Sequence, residues 1–140
     1  MRGQCLCGAV AFEIDCERLK LYQCHCSLCR RQSGAACNTA TIVPGERFRW
    51  LQGSNRTSSW AKPSGFRADF CATCGSPVPN SLRGGAYQWV PAGLLEETTD
   101  AQVVAQLCWA SRASWDVSTA PGLLHDAVPE NFDDFISALL

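Results

Sequence analysis

The sequence predicts a mainly β fold, with antiparallel sheets of short strands and one short helix at the C-terminus. Three observations indicate this fold. Apolar and polar residues alternate over short segments, which is the period of a strand with one buried face. Gly and Pro residues that form turns separate many of these segments. A helical spacing of apolar residues is clear only near the C-terminus.

Eight segments are predicted strands, some from alternation and 40–43 from its β-branched residues. The clearest is 10–14, where the apolar residues Val10, Phe12 and Ile14 alternate with their neighbours. The turn pair Pro44-Gly45 separates two of the others. The remaining predicted strands are 19–23, 40–43, 47–51, 57–61, 66–70, 87–94 and 103–109.

Two segments depart from this pattern and predict helix. Residues 27–32 form one short helical turn inside a cysteine cluster, with Ser27 as its predicted cap. Near the C-terminus, apolar residues recur at i, i+3, i+4, i+7 and i+8, the spacing of one helix face: Phe132, Phe135, Ile136, Leu139 and Leu140. Pro129 suits the first turn of this helix, which we expect to dock on the edge of a sheet.

Length and charge narrow the class of protein. A chain of 140 residues suggests a single domain over residues 1–140. The 12 Lys and Arg against 13 Asp and Glu do not suit a nucleic-acid-binding face. No apolar run approaches the roughly 18 residues of a membrane span, and the N-terminus lacks the apolar stretch of a secretory signal. We therefore expect a cytoplasmic protein that binds neither nucleic acid nor membrane.

The apolar content is small for a chain of this length. Leu, Ile, Val and Phe make up 30 of the 140 residues, close to the roughly 20% below which chains tend to remain disordered. Ten residues are cysteine, so disulfides or metal ions are the candidates for additional stabilisation. Because no export signal is present, a reducing compartment is expected, which favours metal.

Two cysteine pairs far apart in the chain are each followed directly by a glycine, Gly8 or Gly75. The small residue lets the turn bring backbone N–H groups towards the sulfurs. Two such pairs supply four ligands and close a loop of 63 intervening residues. We predict a closed, structural zinc site, in preference to buried thiols or two disulfides, formed by Cys5, Cys7, Cys71 and Cys74.

A third cluster places Cys24, Cys26 and Cys29 within six residues. Three thiolates can occupy three corners of a tetrahedron, and an open fourth corner distinguishes a catalytic zinc from a structural one. A site rich in soft thiolates also favours a further thiol as its exogenous ligand. We therefore predict a catalytic zinc that accepts a small thiol compound.

Candidates for the fourth corner are His25, Cys37 and Cys108. His25 lies between two ligands, so we expect it to point away and to bond to backbone instead. Cys37 and Cys108 lie in apolar segments typical of core residues. Two arginines, Arg30 and Arg31, follow the cluster; they form either a solvated face or a site that offsets thiolate charge and holds a carboxylate of the ligand.

The cysteine motifs follow one order along the chain: Gly3-x-Cys5-x-Cys7-Gly8-x-Val10, then Cys24-His25-Cys26-Ser27-x-Cys29-Arg30, then Phe70-Cys71-x-x-Cys74-Gly75-Ser76. This order closely resembles the glutathione-dependent formaldehyde-activating enzyme family, also called the Gfa or centromere-protein-V-like family. The motifs span residues 3–76, about half the chain, and residues 109–116 are similar more loosely.

The resemblance implies a β-tent fold related to zinc ribbons, with a structural zinc on the four separated cysteines. It also implies a catalytic zinc on Cys24, Cys26 and Cys29, and glutathione as the thiol co-substrate. The family's named reaction joins formaldehyde to glutathione to give S-hydroxymethylglutathione and is classed as a carbon–sulfur lyase. Two alternatives remain open: a zinc-stabilised binding module without turnover, and a protein that detoxifies other thiol adducts.

Overall fold

Eleven strands and two α-helices form the part of the chain that a computed structural model describes, which is residues 1–96, 98, 100–117, 119 and 121–140. The first strands are β1 (Arg2–Gln4), β2 (Ala11–Ile14), β3 (Lys20–Cys24), β4 (Asn38–Pro44), β5 (Phe48–Gln52) and β6 (Thr57–Ala61). They are followed by β7 (Arg67–Cys71), β8 (Asn80–Leu82), β9 (Tyr87–Pro91), β10 (Gln102–Leu107) and β11 (Leu123–Leu124). The helices are α1 (Ser27–Ser33) and α2 (Phe132–Leu139).

The mainly β prediction is confirmed, and each of the eight predicted segments contains a strand. Two of them end early, because Ala92–Leu94 and Trp109–Ser111 form 3-10 turns where the pattern predicted continued strand. The strands β1, β8 and β11 were not predicted, since two or three residues are too few to show a period of two.

Three sheets organise these strands. The largest has the order β11-β10-β3-β4-β9-β8, and two smaller sheets have the orders β1-β2-β5 and β6-β7. The pairings are antiparallel except that β10 runs parallel to both β3 and β11, so the largest sheet is mixed. Alternation along a strand carries no information about the direction of its neighbour, which is why this feature was not predicted.

Alternate side chains of the central strands reach the two faces of the large sheet. On β3 and β4, Tyr22 and Ile42 face one apolar cluster, whereas Leu21 and Val43 face another. Helix α2 covers the first cluster, and the three-stranded sheet covers the second. A third small cluster contains Cys5, Val10, Cys71 and Val78. The apolar core is thus divided, and the third cluster is built around cysteines.

Helix α2 begins at Phe132, and the side chain of Asn131 accepts N–H groups from its first turn. Three predictions about this helix were wrong. Pro129 precedes the helix instead of lying in its first turn, and Leu140 is exposed beyond its end. The helix packs on the face of the sheet, not on its edge, because Phe135, Ile136 and Leu139 fit the broad apolar surface of the central strands.

Among the described residues, neither α-helix has the length and apolar character that a membrane span requires.

Candidate metal centres

Four sulfur atoms from two distant chain segments meet at one point. The Sγ atoms of Cys5, Cys7, Cys71 and Cys74 all lie within 4.8 Å of one another. The Cys5–Cys7 sulfur distance is 3.6 Å and the Cys7–Cys71 distance is 3.8 Å. A disulfide bond is about 2.05 Å long, and all ten cysteines of the chain are free thiols. This cluster can therefore hold a metal ion, as its motif predicted.

Two glycine turns shape this four-sulfur cluster. Gly8 and Gly75 have φ angles of 74° and 75°, a left-handed conformation that favours glycine. In each turn the glycine N–H bonds to the carbonyl of the first cysteine, at 2.9 Å from Cys5 O or Cys71 O. The second turn follows strand β7, so the pairing of β6 with β7 carries Cys71 to its place.

Hydrogen bonds favour the thiolate form of Cys71 and Cys74 in this cluster. The N–H of Ala9 lowers the pKa of Cys7, but burial and hydrogen bonding with Cys5 outweigh it and raise that pKa to about 11. The N–H of Val10 donates to Cys5 Sγ at 3.3 Å. Hydrogen bonds from the hydroxyl and then the N–H of Ser76 lower the pKa of Cys74 to about 5. The N–H groups of Cys74 and Thr73 also lower the pKa of Cys71. Because thiolates are the form that binds metal, the turns prepare the site for a cation.

The second cluster lies where strand β3 leads into helix α1. The sulfurs of Cys24, Cys26 and Cys29 lie within 4.8 Å of one another. The cap of α1 is Cys26 and not the predicted Ser27, since Cys26 Sγ accepts the N–H of Cys29 at 3.4 Å. Hydrogen bonding with Cys29, followed by burial, raises the pKa of Cys24 above its usual value. A bound cation would offset the charge that these close thiolates develop.

His25 points away from these sulfurs, as expected. It is 2% exposed; its Nε2 lies 2.7 Å from Gln106 Oε1, and its Nδ1 lies 3.4 Å from Asp116 Oδ2. The Gln106 amide NH₂ donates to Gln23 Oε1 and to the Pro121 carbonyl, so its oxygen must face the histidine. Nε2 therefore carries a proton. The expectation of a backbone partner was wrong, because the ring nitrogens face the buried side chains of Gln106 and Asp116 from distant segments.

The two other fourth-corner candidates have different surroundings. Cys37 is half-buried, and its sulfur lies 4.0 Å from Thr39 Oγ1. Cys108 is buried just after β10, and burial followed by the charge of Cys24 raises its pKa to about 12. Cys37 does not join the three mutually close sulfurs, whereas Cys108 hydrogen-bonds with Cys24 and Cys26 without lying within 4.8 Å of all three. Within the ranges that the structure describes, no His, Cys, Asp or Glu completes this cluster at the 4.8 Å limit.

The two arginines after the cluster, Arg30 and Arg31, have different surroundings. Arg30 Nη1 donates to the carbonyl of His25 at 2.6 Å and to that of Ser111, which ties α1 to the turn after β10. Arg31 instead lines a cavity of about 380 Å³ together with Lys62. Neither arginine forms an ion pair with a carboxylate of the described residues. Arg31 therefore lies where it can meet a ligand carboxylate, whereas Arg30 is engaged with two carbonyl groups.

A second cavity, of about 400 Å³, borders the three-sulfur cluster, with Cys24 and Cys29 in its wall. Tyr22 lies in the same wall, and its hydroxyl accepts the N–H of Trp89 at 2.9 Å. Sequence reasoning did not select Tyr22 as a functional residue. Its position two residues before Cys24 on a strand was the available signal, because such residues share one face.

The fold and these sulfur clusters define a mainly β protein with two sites that can each hold a metal ion. Residues 1–111 match the glutathione-dependent formaldehyde-activating enzyme family, and the chain belongs to this family. The relationship predicted from the cysteine motifs is thus confirmed. A crystal structure of a Rhodobacter sphaeroides protein is also similar, with a TM-score of 0.57 and 26% identity, covering 69% of this chain and 88% of that chain.

Proposed function

We propose that this chain is a zinc-dependent carbon–sulfur lyase that joins formaldehyde to glutathione to give S-hydroxymethylglutathione. Membership of a formaldehyde-activating, glutathione-dependent family supports this proposal. The observation that carries it is a three-sulfur cluster in the wall of a cavity, where no fourth ligand atom of the described residues lies within 4.8 Å of all three sulfurs. An open ligand position is the property that separates catalytic from structural zinc.

Zinc fits the donor atoms of both clusters. A tetrahedral site with zinc–sulfur bonds of about 2.3 Å has edges of about 3.8 Å. The sulfur distances of 3.6 and 3.8 Å in the four-sulfur cluster agree with that geometry. Soft thiolates also favour zinc over magnesium or calcium. We assign a structural zinc to Cys5, Cys7, Cys71 and Cys74, and a catalytic zinc to Cys24, Cys26 and Cys29.

In this mechanism the main contribution of the protein is to position the aldehyde and the thiol. Zinc, when bound, would strongly lower the pKa of an incoming thiol. The cavity holds the aldehyde beside Cys24 and Cys29, where the glutathione sulfur enters. As the carbon–sulfur bond forms, the π electrons of the carbonyl move to its oxygen. The thiol proton leaves to solvent, and the oxygen finally takes a proton from solvent.

Tyr22 is placed to stabilise that oxygen while its charge develops. The hydroxyl of Tyr22 accepts a hydrogen bond from Trp89, so its own O–H remains to donate. In the described part of the chain it donates to no protein group, and the residue lines the cavity. A donor that is already oriented stabilises an oxyanion without reorganisation.

Ten unbridged cysteines fit a reducing compartment, and we place the reaction in the cytoplasm.

The test of the proposed function is two-dimensional NMR exchange spectroscopy of glutathione and formaldehyde with the zinc-loaded protein. The adduct also forms spontaneously, so we expect exchange at least about tenfold faster than in the protein-free sample, in proportion to protein concentration. Stripping the metal with a chelator should remove the acceleration, and zinc should restore it. Exchange at the spontaneous rate for protein that contains two zinc ions would instead identify a binding module.

Replacing Tyr22 with phenylalanine is expected to lower kcat by about 100-fold, the usual effect of losing one oxyanion donor. KM and zinc content should stay near their original values, because the hydroxyl holds neither glutathione nor metal. The matched control is Tyr87→Phe, which removes the only other tyrosine hydroxyl of the chain. Equal kcat values for the two variants, measured by NMR exchange, would exclude Tyr22 from the reaction.

A further inference from the structure

We propose that the cavity beside Cys24 and Cys29 accepts aldehydes that carry an aromatic group, and that the enzyme joins these to glutathione in preference to formaldehyde. This inference rests on the proposed function and specifies the substrate of the same site. It is argued from the size, the lining and the charges of the two cavities next to helix α1.

The size of the cavity does not match formaldehyde. Formaldehyde has two heavy atoms and takes up little more space than a water molecule, about 30 Å³. The cavity measures about 400 Å³, which lies within the range of roughly 300–1,000 Å³ typical of sites for larger organic ligands. A substrate of formaldehyde's size would leave most of this space without protein contacts.

Aromatic and aliphatic side chains supply much of the cavity lining, beside polar ones such as Gln32, Asn38 and Asn80. Aromatic rings pack favourably against other rings, edge to face or offset. Within the wall, the Tyr22 and Phe135 rings already make such an edge contact, at 5.2 Å between centroids. The five aromatic residues of the wall are Tyr22, Phe66, Trp89, Phe132 and Phe135. A ring bound among them would lie beside the sulfurs of Cys24 and Cys29.

The cations in this wall are already neutralised. Arg67 donates to both carboxylate oxygens of Asp69, each at 2.7 Å. Arg83 pairs with Asp133 at 2.7 Å and lies 4.5 Å from the centre of the Phe132 ring. The carboxylates of glutathione would find no unpaired cation here. This cavity therefore suits an uncharged apolar group better than the tripeptide.

The neighbouring cavity is also partly aromatic, with Trp60, Phe66 and Phe70 in its wall, but it differs in its cations. Arg31 and Lys62 line it, and neither forms an ion pair within the described ranges. The two cavities share Gln32 and Phe66 in their walls, so they are adjacent. Glutathione can place its carboxylates at Arg31 and Lys62, with its thiol directed to the sulfur cluster. The apolar cavity is then left for the aldehyde.

The experiment compares phenylacetaldehyde with formaldehyde as partners of glutathione, using the zinc-loaded protein and NMR exchange. We expect kcat/KM to be at least tenfold higher for phenylacetaldehyde, because even one methylene in an apolar pocket changes kcat/KM by about 10-fold or more. A higher kcat/KM for formaldehyde would overturn this inference while leaving the proposed function intact. No acceleration with either aldehyde would overturn both.

Variants that fill the cavity provide the second readout. Leu82→Trp and Val128→Trp enlarge side chains of the wall, and Val128 is 59% exposed, so its variant should fold. Each should lower the ratio of phenylacetaldehyde to formaldehyde kcat/KM by at least about tenfold. The matched control is Leu51→Trp on β5, outside the cavity, which should leave the ratio unchanged. An unchanged ratio in both cavity variants would place the aromatic group elsewhere and overturn the inference.

Discussion

Replacing Cys71 with serine is expected to prevent the chain from holding its native fold. Cys71 is fully buried, and it joins the four-sulfur cluster to the third apolar cluster. Structural zinc contributes about 10–16 kcal/mol to small zinc domains, whereas whole domains are stable by only about 5–15 kcal/mol. The small apolar core cannot replace that contribution. Circular dichroism on heating should show no cooperative transition, and zinc content should fall below two ions per chain.

The matched control for this variant is Cys16→Ser. Cys16 is half-buried outside both clusters, and its thiol donates to the Arg18 carbonyl at 3.0 Å, a bond that a serine hydroxyl can also make. Its free energy of unfolding should change by less than about 1 kcal/mol. If Cys71→Ser retained two zinc ions and unfolded within that same margin, the four-sulfur cluster would not be a structural metal site.

Replacing Cys26 with serine is expected to abolish glutathione binding while preserving the fold. Cys26 is half-buried, and its sulfur also caps helix α1 by accepting the N–H of Cys29. Serine is a favourable cap, so α1 should remain formed. Loss of one of three ligands should lower zinc content to one ion per chain. Calorimetry should then show glutathione affinity reduced by at least about 100-fold, beyond what loss of a ligand-orienting group usually causes.

The comparison variant for Cys26 is Cys37→Ser. Cys37 is half-buried like Cys26 but lies outside the three close sulfurs, with Thr39 as its neighbour. It should bind two zinc ions and glutathione as the original protein does. Undiminished glutathione binding by zinc-loaded Cys26→Ser would show that the thiol docks elsewhere, and would remove the basis of the proposed mechanism.

Features set by neighbours in the chain were predictable from the sequence. Short alternating or β-branched segments bounded by turn residues located eight strands, since such segments suit a strand whatever its partner strand is. The spacing of the cysteines located both sulfur clusters. Short turns such as the one ending at Gly75 hold two sulfurs near each other, so ligand spacing survives any rearrangement of the remaining fold.

Features set by contacts between distant residues could not be predicted from the sequence. Nothing in the pattern indicated that β10 runs parallel to β3, or that α2 covers a sheet face. The partner of His25 is Gln106, 81 residues later, and Trp89 bonds to Tyr22 across 67 residues. The local repeat of apolar residues does not indicate such pairs, because they depend on how the sheets pack against one another.

The chain's own residue order was enough to identify the family and the seven sulfur ligands of the proposed zinc sites, since short spacings limit where neighbouring thiols can go. Folding was needed to show which cluster borders a cavity and which arginines are already paired with aspartates. Those properties depend on how segments such as β3, β9 and α2 pack against one another. The repeating pattern of apolar residues within any single segment does not indicate which other segments it will contact.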